Sequence, residues 1–149
     1  MISIQRTTAT NNDFVVLIKR LDEDIKVRDG EEHLFHAQYN KTDHIHHVLV
    51  AYKNKTAVGC GAIKHFDNQT AEIKRMYVST DYRGKGIATK ILNALELWAR
   101  ELNYKHTILE TGVKYHEALA LYQKHGYSPI PRYGQYEKML SSRCFKKSL

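Results

Sequence analysis

The residues with the clearest chemical potential form a glycine-rich basic turn that reads Arg83-Gly84-Lys85-Gly86-Ile87-Ala88. Glycine tolerates positive φ and lets the backbone approach a ligand closely, because it has no Cβ. Successive backbone N–H groups that lead into a helix N-terminus form an anion site, which the helix dipole strengthens. Arg83 and Lys85 add two positive charges. The turn therefore predicts a phosphate or pyrophosphate site; the alternative is an ordinary strand-to-helix turn with surface charges.

Two better-known phosphate loops do not match this turn. The P-loop requires four residues between its glycines and then Gly-Lys-Ser/Thr, which the turn lacks. The dinucleotide fingerprint requires Gly or Ala at a third position, which Thr89 occupies here. A third pattern, Arg-x-x-Gly-x-Ala, does match from Arg83 through Gly86 to Ala88.

A strand pattern precedes the turn and a helix pattern follows it. Residues 71–79 include β-branched and aromatic side chains, which are typical of a strand. From Ile87 onward, apolar residues recur with the 3.6-residue period of one buried helical face. Glu72, Lys74 and Arg75 lie in the strand pattern, so these charges require partners or a water-filled cleft.

With this loop, the chain resembles the GNAT superfamily of acyl-CoA-dependent N-acetyltransferases, whose pyrophosphate loop reads Gln/Arg-x-x-Gly-x-Gly/Ala. Residues 118–127, ALALYQKHGY, are similar to a second family motif, A-x-x-L-Y-x-x-x-G-F/Y. Ile108-Leu109-Glu110-Thr111 resembles the family's fifth strand. The resemblance covers residues 48–145, and the first 45 residues match only in general layout.

The resemblance implies one GNAT-like acetyltransferase domain over residues 1–149, with a mixed, mostly antiparallel sheet of about six or seven strands. Helices would cover both faces, and a cofactor cleft would open between the splayed fourth and fifth strands. Residues 1–45 would form the variable acceptor side, whereas 71–102 and 108–127 would carry the cofactor-side motifs. The alternating strand and helix patterns independently favour an α/β domain.

Patterning places further elements along the chain. It predicts a strand at 2–6, a helix after Asn11 that ends at Asp29, a short helix at 31–38 and a hairpin from 47–52 and 57–66. Toward the C-terminus it predicts a strand at 106–110, a helix at 117–125 and a last strand at 143–145. Pro129 and Pro131 indicate irregular structure between this helix and the last strand, around the loop to Tyr136.

The resemblance implies transfer of an acetyl group from acetyl-CoA to a primary amine, by direct attack in a ternary complex. Backbone groups of Met76, Tyr77 and Val78 would bind the pantetheine arm and orient the thioester carbonyl. The pyrophosphate would be held by the loop, which comprises Arg83, Gly84, Lys85, Gly86, Ile87, Ala88 and Thr89. Tyr122 is the residue that the family uses as the acid for the departing thiolate; the alternative is a packed aromatic side chain.

The amine must also lose a proton, and the sequence offers several bases. Glu72 and Glu110 are the best candidates, because they lie on the strands that would flank the cleft; His116 and His125 are weaker ones. The family often has asparagine three residues before the helix alanine, where this chain has Tyr115. Acceptor contacts are expected from His33, Phe35, His36 and Tyr39, unless these helices only cover the sheet.

The net charge of +7 belongs entirely to one half of the chain. Residues 1–70 hold 9 basic and 9 acidic residues, and residues 71–149 hold 14 and 7. A basic half suits a polyphosphate cofactor through its local field. Nucleic acid is the rival partner, but the basic residues are dispersed and the aromatics form no stacking platform. We therefore expect no nucleic-acid partner.

Composition limits compartment and metal content. The chain has only two cysteines, which favours a reducing compartment. It has no apolar run of about 20 residues and no apolar N-terminal segment. We therefore expect a cytoplasmic protein without membrane contact. The histidines at 44, 46 and 47 match no zinc spacing, so no metal is expected. Cys60, between two glycines, is expected to be a buried thiol and not a nucleophile.

The acceptor is least determined by the sequence. A basic cleft favours a small-molecule amine with a carboxylate, such as an amino acid. Protein lysines or N-termini are alternative acceptors, and a non-catalytic acyl-CoA sensor is an alternative function. An exposed strand edge could pair two copies into a homodimer.

Overall fold

The computed structural model describes residues 1–29 and 45–149. Its strands are β1 (Ile2–Thr7), β2 (His47–Lys53), β3 (Thr56–Asp67), β4 (Thr70–Val78), β5 (His106–Gly112), β6 (Ser128–Ile130) and β7 (Ser142–Ser148). The helices of the described part are α1 (Asn12–Asp29), α2 (Ile87–Glu101) and α3 (His116–Lys124). Short 3-10 turns occupy Thr80–Tyr82 and Gly134–Tyr136. The short helix predicted at 31–38 lies outside the described residues.

The strands form a seven-stranded sheet in the order β1-β2-β3-β4-β5-β7-β6. Neighbours β1–β2, β2–β3, β5–β7 and β6–β7 are antiparallel. β4 and β5 run parallel, with Thr70 to Glu72 in register with His106 to Ile108. The predicted α/β class with a mixed, mostly antiparallel sheet is therefore confirmed.

By its internal contacts the chain divides into two compact units. The first comprises Met1–Lys64 and Lys74–Leu95, and the second comprises His65–Ile73 and Glu96–Leu149.

In the first unit, α1 packs on the hairpin of β2 and β3. The side chain of Asn11 accepts a hydrogen bond from the Phe14 N–H at 3.0 Å, which makes Asn11 the N-cap of the helix. Phe14 and Leu17 are buried against side chains of the two strands, namely Val48, Val50, Cys60 and Ala62. The predicted hairpin forms around Asn54, which has a φ of +57°.

Two glycines on β3 let the first unit pack closely. A Cβ on Gly59 would lie 2.9 Å from the Tyr77 carbonyl oxygen and 3.0 Å from Ile91 Cδ1. A Cβ on Gly61 would lie 2.7 Å from Met76 Sδ and 2.8 Å from Ile91 Cγ2. Larger residues at these positions would push β4 or α2 away from β3, so both glycines are required for close packing.

Arg75 places a buried charge in the middle of β4, in the first unit. Its φ is +59°, an unusual conformation for a side chain other than glycine. The guanidinium is only 2% exposed, and Nη2 forms a 2.7 Å ion pair with Asp22 of α1. The charge therefore has the partner that the sequence analysis required, and the pair ties α1 to β4.

In the second unit, a buried polar network centres on Glu96 of α2. The Tyr127 hydroxyl donates to Glu96 Oε2 at 2.8 Å, and Lys147 Nζ donates to Oε1 at 2.9 Å. Tyr127 is also hydrogen-bonded to the Thr107 hydroxyl at 2.7 Å. The network joins α2, β5, β7 and Tyr127 in the short segment between α3 and β6, so it fixes how these elements pack.

The segment after α3 differs from the prediction of irregular structure. Residues Ser128–Ile130 form β6, which pairs antiparallel with β7. Pro129 cannot donate a backbone hydrogen bond, but β6 is the last strand of the sheet and an edge strand tolerates proline. The prediction of irregular structure is therefore wrong for Ser128–Ile130, whereas residues 131–133 belong to no helix or strand.

We expect Glu96→Gln to lower the free energy of unfolding by about 1–3 kcal/mol, because a buried charge-assisted hydrogen bond to Lys147 is lost. Urea denaturation followed by circular dichroism measures the change. Glu23→Gln, on the exposed face of α1, is the matched control and should stay within about 0.5 kcal/mol of the unsubstituted protein. Equal effects of the two substitutions would contradict a stabilising role of the network.

Candidate active site

The turn before α2 has the open backbone that an anion site requires. Gly84 has a φ of +75° and Gly86 a φ of +81°, as the glycine pattern predicted. No atom lies within 4 Å of the position where a Cβ would project from either glycine. α2 begins at Ile87, and its first turn carries no acidic residue. Because first-turn N–H groups have no partner within their helix, this turn fits a pyrophosphate.

Arg83 adds a positive charge to this turn and also holds the turn in place through its side-chain contacts. Its Nε donates to the Val78 carbonyl oxygen at 2.7 Å, so the side chain folds back onto the end of β4. Nη2 lies 3.6 Å from Asp24 Oδ2 of α1, and the guanidinium lies 5.5 Å from the centroid of the Tyr77 ring. About a third of the side chain remains exposed (36%), so its charge is available to a ligand.

Lys85 and the end of β4 complete the first unit's part of the predicted site. Lys85 Nζ lies 5.7 Å from the centroid of the Tyr82 ring, and the residue is exposed. Tyr77 packs against the core of α1, β2 and β3. The Ser79 N–H donates to the Val58 carbonyl oxygen at 2.8 Å, which anchors the strand end at the turn. Met76, Tyr77 and Val78 thus belong to a strand end that is held by packing of Tyr77 and by the hydrogen bond to β3, whereas the pairing of β4 with β5 is limited to Thr70–Glu72.

In the second unit, Glu72 is a buried carboxylate with a specific partner. The residue is 6% exposed, and the Tyr133 hydroxyl donates to its Oε2 at 2.7 Å. Burial, followed by the charge of Glu72, raises the pKa of Tyr133, so this phenol keeps its proton and remains a donor. Tyr133 is not among the site residues predicted from the sequence, where the only signal for it is the pair of tyrosines in Arg-Tyr-Gly-Gln-Tyr.

Glu110, the second predicted base, lies in the same unit. Its Oε2 accepts a hydrogen bond from the Ser142 hydroxyl at 2.7 Å. Burial, then the charges of Glu110 and Glu72, raise the pKa of Tyr136. Burial also raises the pKa of Cys144, and both carboxylates add to that effect. Both predicted bases therefore lie near two shared side chains, Tyr136 and Cys144, while Tyr133 is the partner of Glu72 and Ser142 is the partner of Glu110.

Tyr122 lies in α3 as a buried, protonated phenol. It is 6% exposed, and its ring packs edge-to-face on Tyr127 with the centroids 5.6 Å apart. Burial, followed by the charge of Glu110, raises the pKa of Tyr122, so the hydroxyl carries its proton at neutral pH. This arrangement suits a proton donor, and the edge-to-face packing also suits a structural aromatic residue. The role of Tyr122 as the acid stays a prediction.

Several residues from the sequence analysis lie elsewhere or outside the described part. The expected acceptor contacts His33, Phe35, His36 and Tyr39 are not among the described residues, and neither is His44. His116, a weaker base candidate, begins α3 on an exposed face, and Tyr115 contacts Gly112. Burial raises the pKa of the Cys60 thiol to about 12, which makes it a poor nucleophile.

Residues 1–29 and 45–149 carry neither a cluster of metal ligands nor a membrane-spanning helix. No group of three His, Cys, Asp or Glu side chains in these ranges could hold a metal ion. No helix in the same ranges is both long enough and apolar enough to cross a bilayer.

The Acetyltransferase (GNAT) family model matches residues 15–127. A protein named IAA acetyltransferase from Azospirillum brasilense is 38% identical over 89 residues, which cover 59% of this chain and 58% of that protein. The chain spans less than two thirds of the length of the curated relatives that it matches.

Solved structures show the same fold. A protein described as an acyl-CoA N-acyltransferase from Klebsiella pneumoniae has a TM-score of 0.84 and 30% identity, with 100% of this chain and 98% of that chain covered. A GNAT family acetyltransferase from Elizabethkingia anophelis, with acetyl-CoA bound, has a TM-score of 0.71 and 20% identity, with 99% and 98% covered. The family model spans most of the chain, and the predicted resemblance is confirmed: this protein belongs to the GNAT acetyltransferase family.

Proposed function

We propose that this protein is an acetyl-CoA-dependent N-acetyltransferase that acetylates a primary amine of a small molecule, such as an amino acid. The observation that carries the proposal is the open turn at Gly84 and Gly86 directly before α2, in a chain of this family. A GNAT acetyltransferase with the same fold has acetyl-CoA bound. Acetyl-CoA would be the acyl donor, and no metal is part of the proposed chemistry.

The first unit would hold the donor through its phosphate groups and its pantetheine arm. N–H groups from Gly84 to Thr89 would bind the pyrophosphate, which has no acidic residue opposite it in the first turn of α2. The cations of Arg83 and Lys85 would add charge complementarity. Backbone groups of β4 from Met76 to Val78 would pair with the pantetheine arm and polarise the thioester carbonyl.

The second unit would supply the proton transfers. A carboxylate, Glu72 or Glu110, accepts a proton from the ammonium form of the amine and later releases it to water. The nitrogen lone pair then attacks the thioester carbonyl carbon, so a C–N bond forms and the C–S bond breaks. Tyr122 donates its proton to the departing sulfur, and the second proton lost by the nitrogen restores the phenol. One proton is released for each amide and thiol formed.

An open groove in the second unit could take a small acceptor. Its volume is about 1030 Å³, at the upper end of the range for small-molecule sites. Ser142 and Cys144 lie in its wall, and Ser142 donates to Glu110. Arg132 and Arg143 in the same wall could bind the carboxylate of an amino acid.

A cytoplasmic location and a homodimer belong to the same proposal. Both cysteines, Cys60 and Cys144, are free and buried, which suits a reducing compartment. The terminal strands of the sheet, β1 and β6, offer backbone edges at which a second copy could pair.

We expect Gly86→Glu to weaken acetyl-CoA binding at least about tenfold, because it adds a negative charge where the pyrophosphate would lie. Arg83→Ala should weaken binding in the same direction by removing a positive charge. Isothermal titration calorimetry with acetyl-CoA measures both. Gly134→Glu is the matched control, because Gly134 also has positive φ and open space around it. Unchanged affinity in both loop variants would contradict the assignment of the phosphate loop.

We expect Tyr122→Phe to lower kcat by about 10²- to 10⁴-fold, because the departing thiolate would lose its proton donor. Acetyl-CoA affinity should stay within about twofold of the unsubstituted protein, since the phenol ring and its packing on Tyr127 are kept. Thiol release at saturating amine and calorimetry measure the two quantities. An unchanged kcat would instead make Tyr122 a packing residue.

A further inference from the structure

We infer that Tyr133 is a positioning residue for acetyl transfer: its hydroxyl orients Glu72 so that this carboxylate accepts the proton of the acceptor amine. The inference rests on the proposed function and deepens it, because it selects Glu72 from the two candidate bases and adds a residue that the family motifs do not include.

The hydrogen bond between Tyr133 and Glu72 carries the inference. Glu72 is 6% exposed, and a buried carboxylate is costly unless a donor compensates for the lost water. The Tyr133 hydroxyl provides that donor at 2.7 Å, from a position 61 residues away in the chain. The bond occupies Oε2 and leaves Oε1 as the oxygen that accepts the proton. One oxygen is therefore held in place while the other reacts.

Tyr133 is itself held rigidly enough to orient another side chain. Its ring packs edge-on against Phe66, with centroids 5.4 Å apart, and perpendicular to Tyr136 at 5.7 Å. The Tyr136 N–H donates to the Tyr133 carbonyl oxygen at 2.9 Å, which closes the 3-10 turn Gly134–Tyr136. Arg132 Nε donates to the Glu137 carbonyl oxygen at 3.1 Å, across the same turn. Packing and turn geometry thus fix the direction of the hydroxyl.

The surroundings of Glu110 favour Glu72 as the base. Glu110 accepts a hydrogen bond from the Ser142 hydroxyl at 2.7 Å, and after burial its charge raises the pKa of Tyr122, the proposed proton donor. Glu72 acts instead on Tyr133, which donates to it and stays protonated. Glu110 therefore acts on the proposed proton donor, Tyr122, and Glu72 remains as the proposed proton acceptor.

The pH dependence of the reaction reports on this pair. The charge of Glu72 acts on Tyr133, Tyr136 and Cys144. Two further charged groups act on the same side chains, Glu110 on Tyr136 and Cys144, and Arg132 on Cys144. A hydrogen bond to the ionised carboxylate favours that form. Its removal makes the base harder to deprotonate, so activity should require a higher pH.

We expect Tyr133→Phe to move the acid limb of the kcat/KM profile upward by about one pH unit and to lower kcat/KM about tenfold on that limb. The ring is kept, so acetyl-CoA affinity and the melting temperature should change little. Tyr104→Phe is the matched control, because its hydroxyl lies 2.7 Å from His65 Nδ1 and not from a carboxylate. Its profile should match that of the unsubstituted protein.

A double-mutant cycle separates positioning from general stability. Glu72→Gln removes the proposed base, and adding Tyr133→Phe to it should cause no further loss of kcat/KM. An unshifted acid limb in Tyr133→Phe, or a further tenfold loss in the double variant, would overturn the inference while leaving the proposed function intact. An unsubstituted protein that binds acetyl-CoA but acetylates no amine would overturn the proposed function and this inference together.

Discussion

The structure depends most on how β4 accommodates two charged side chains inside a sheet. An unpaired buried charge costs several kcal/mol, so Glu72 and Arg75 each need a partner from a distant part of the chain. In the first unit, Arg75 is paired with Asp22, which fixes α1 on β4. In the second unit, Glu72 accepts a hydrogen bond from the Tyr133 hydroxyl, which fixes the 3-10 segment that follows Tyr133. Within each unit, the buried charge therefore fixes the element that supplies its partner.

Several side chains that stabilise the fold through buried contacts are also the side chains proposed to take part in acetyl transfer. Perturbed titratable groups cluster at functional sites, and in the second unit the tyrosines at 122, 133 and 136 all have raised pKa values next to carboxylates. Positive charge is used structurally as well. Lys147 binds Glu96, and Arg83 binds the carbonyl of Val78 and lies near Asp24. Part of the basic excess in the C-terminal half therefore stabilises the fold.

Local patterns in the sequence predicted the elements around the loop, because their causes are local. The 3.6-residue period marked α2, and the glycine spacing marked the positive φ of Gly84 and Gly86. The sequence could not reveal the pairing of Tyr133 with Glu72 or of Lys147 with Glu96, since each joins residues more than 50 positions apart. The β6 strand was missed because proline normally signals irregular structure, and only its edge position makes Pro129 tolerable.

The most direct test of the central claim is thiol release from acetyl-CoA, measured with a panel of amino acids, polyamines, aminoglycosides and lysine peptides. Mass spectrometry identifies the product by its added acetyl group. We expect steady release of coenzyme A with one class of small primary amine, at one acetylated product per thiol. Failure to bind acetyl-CoA, together with no thiol release across the panel, would contradict an acetyltransferase function for this chain.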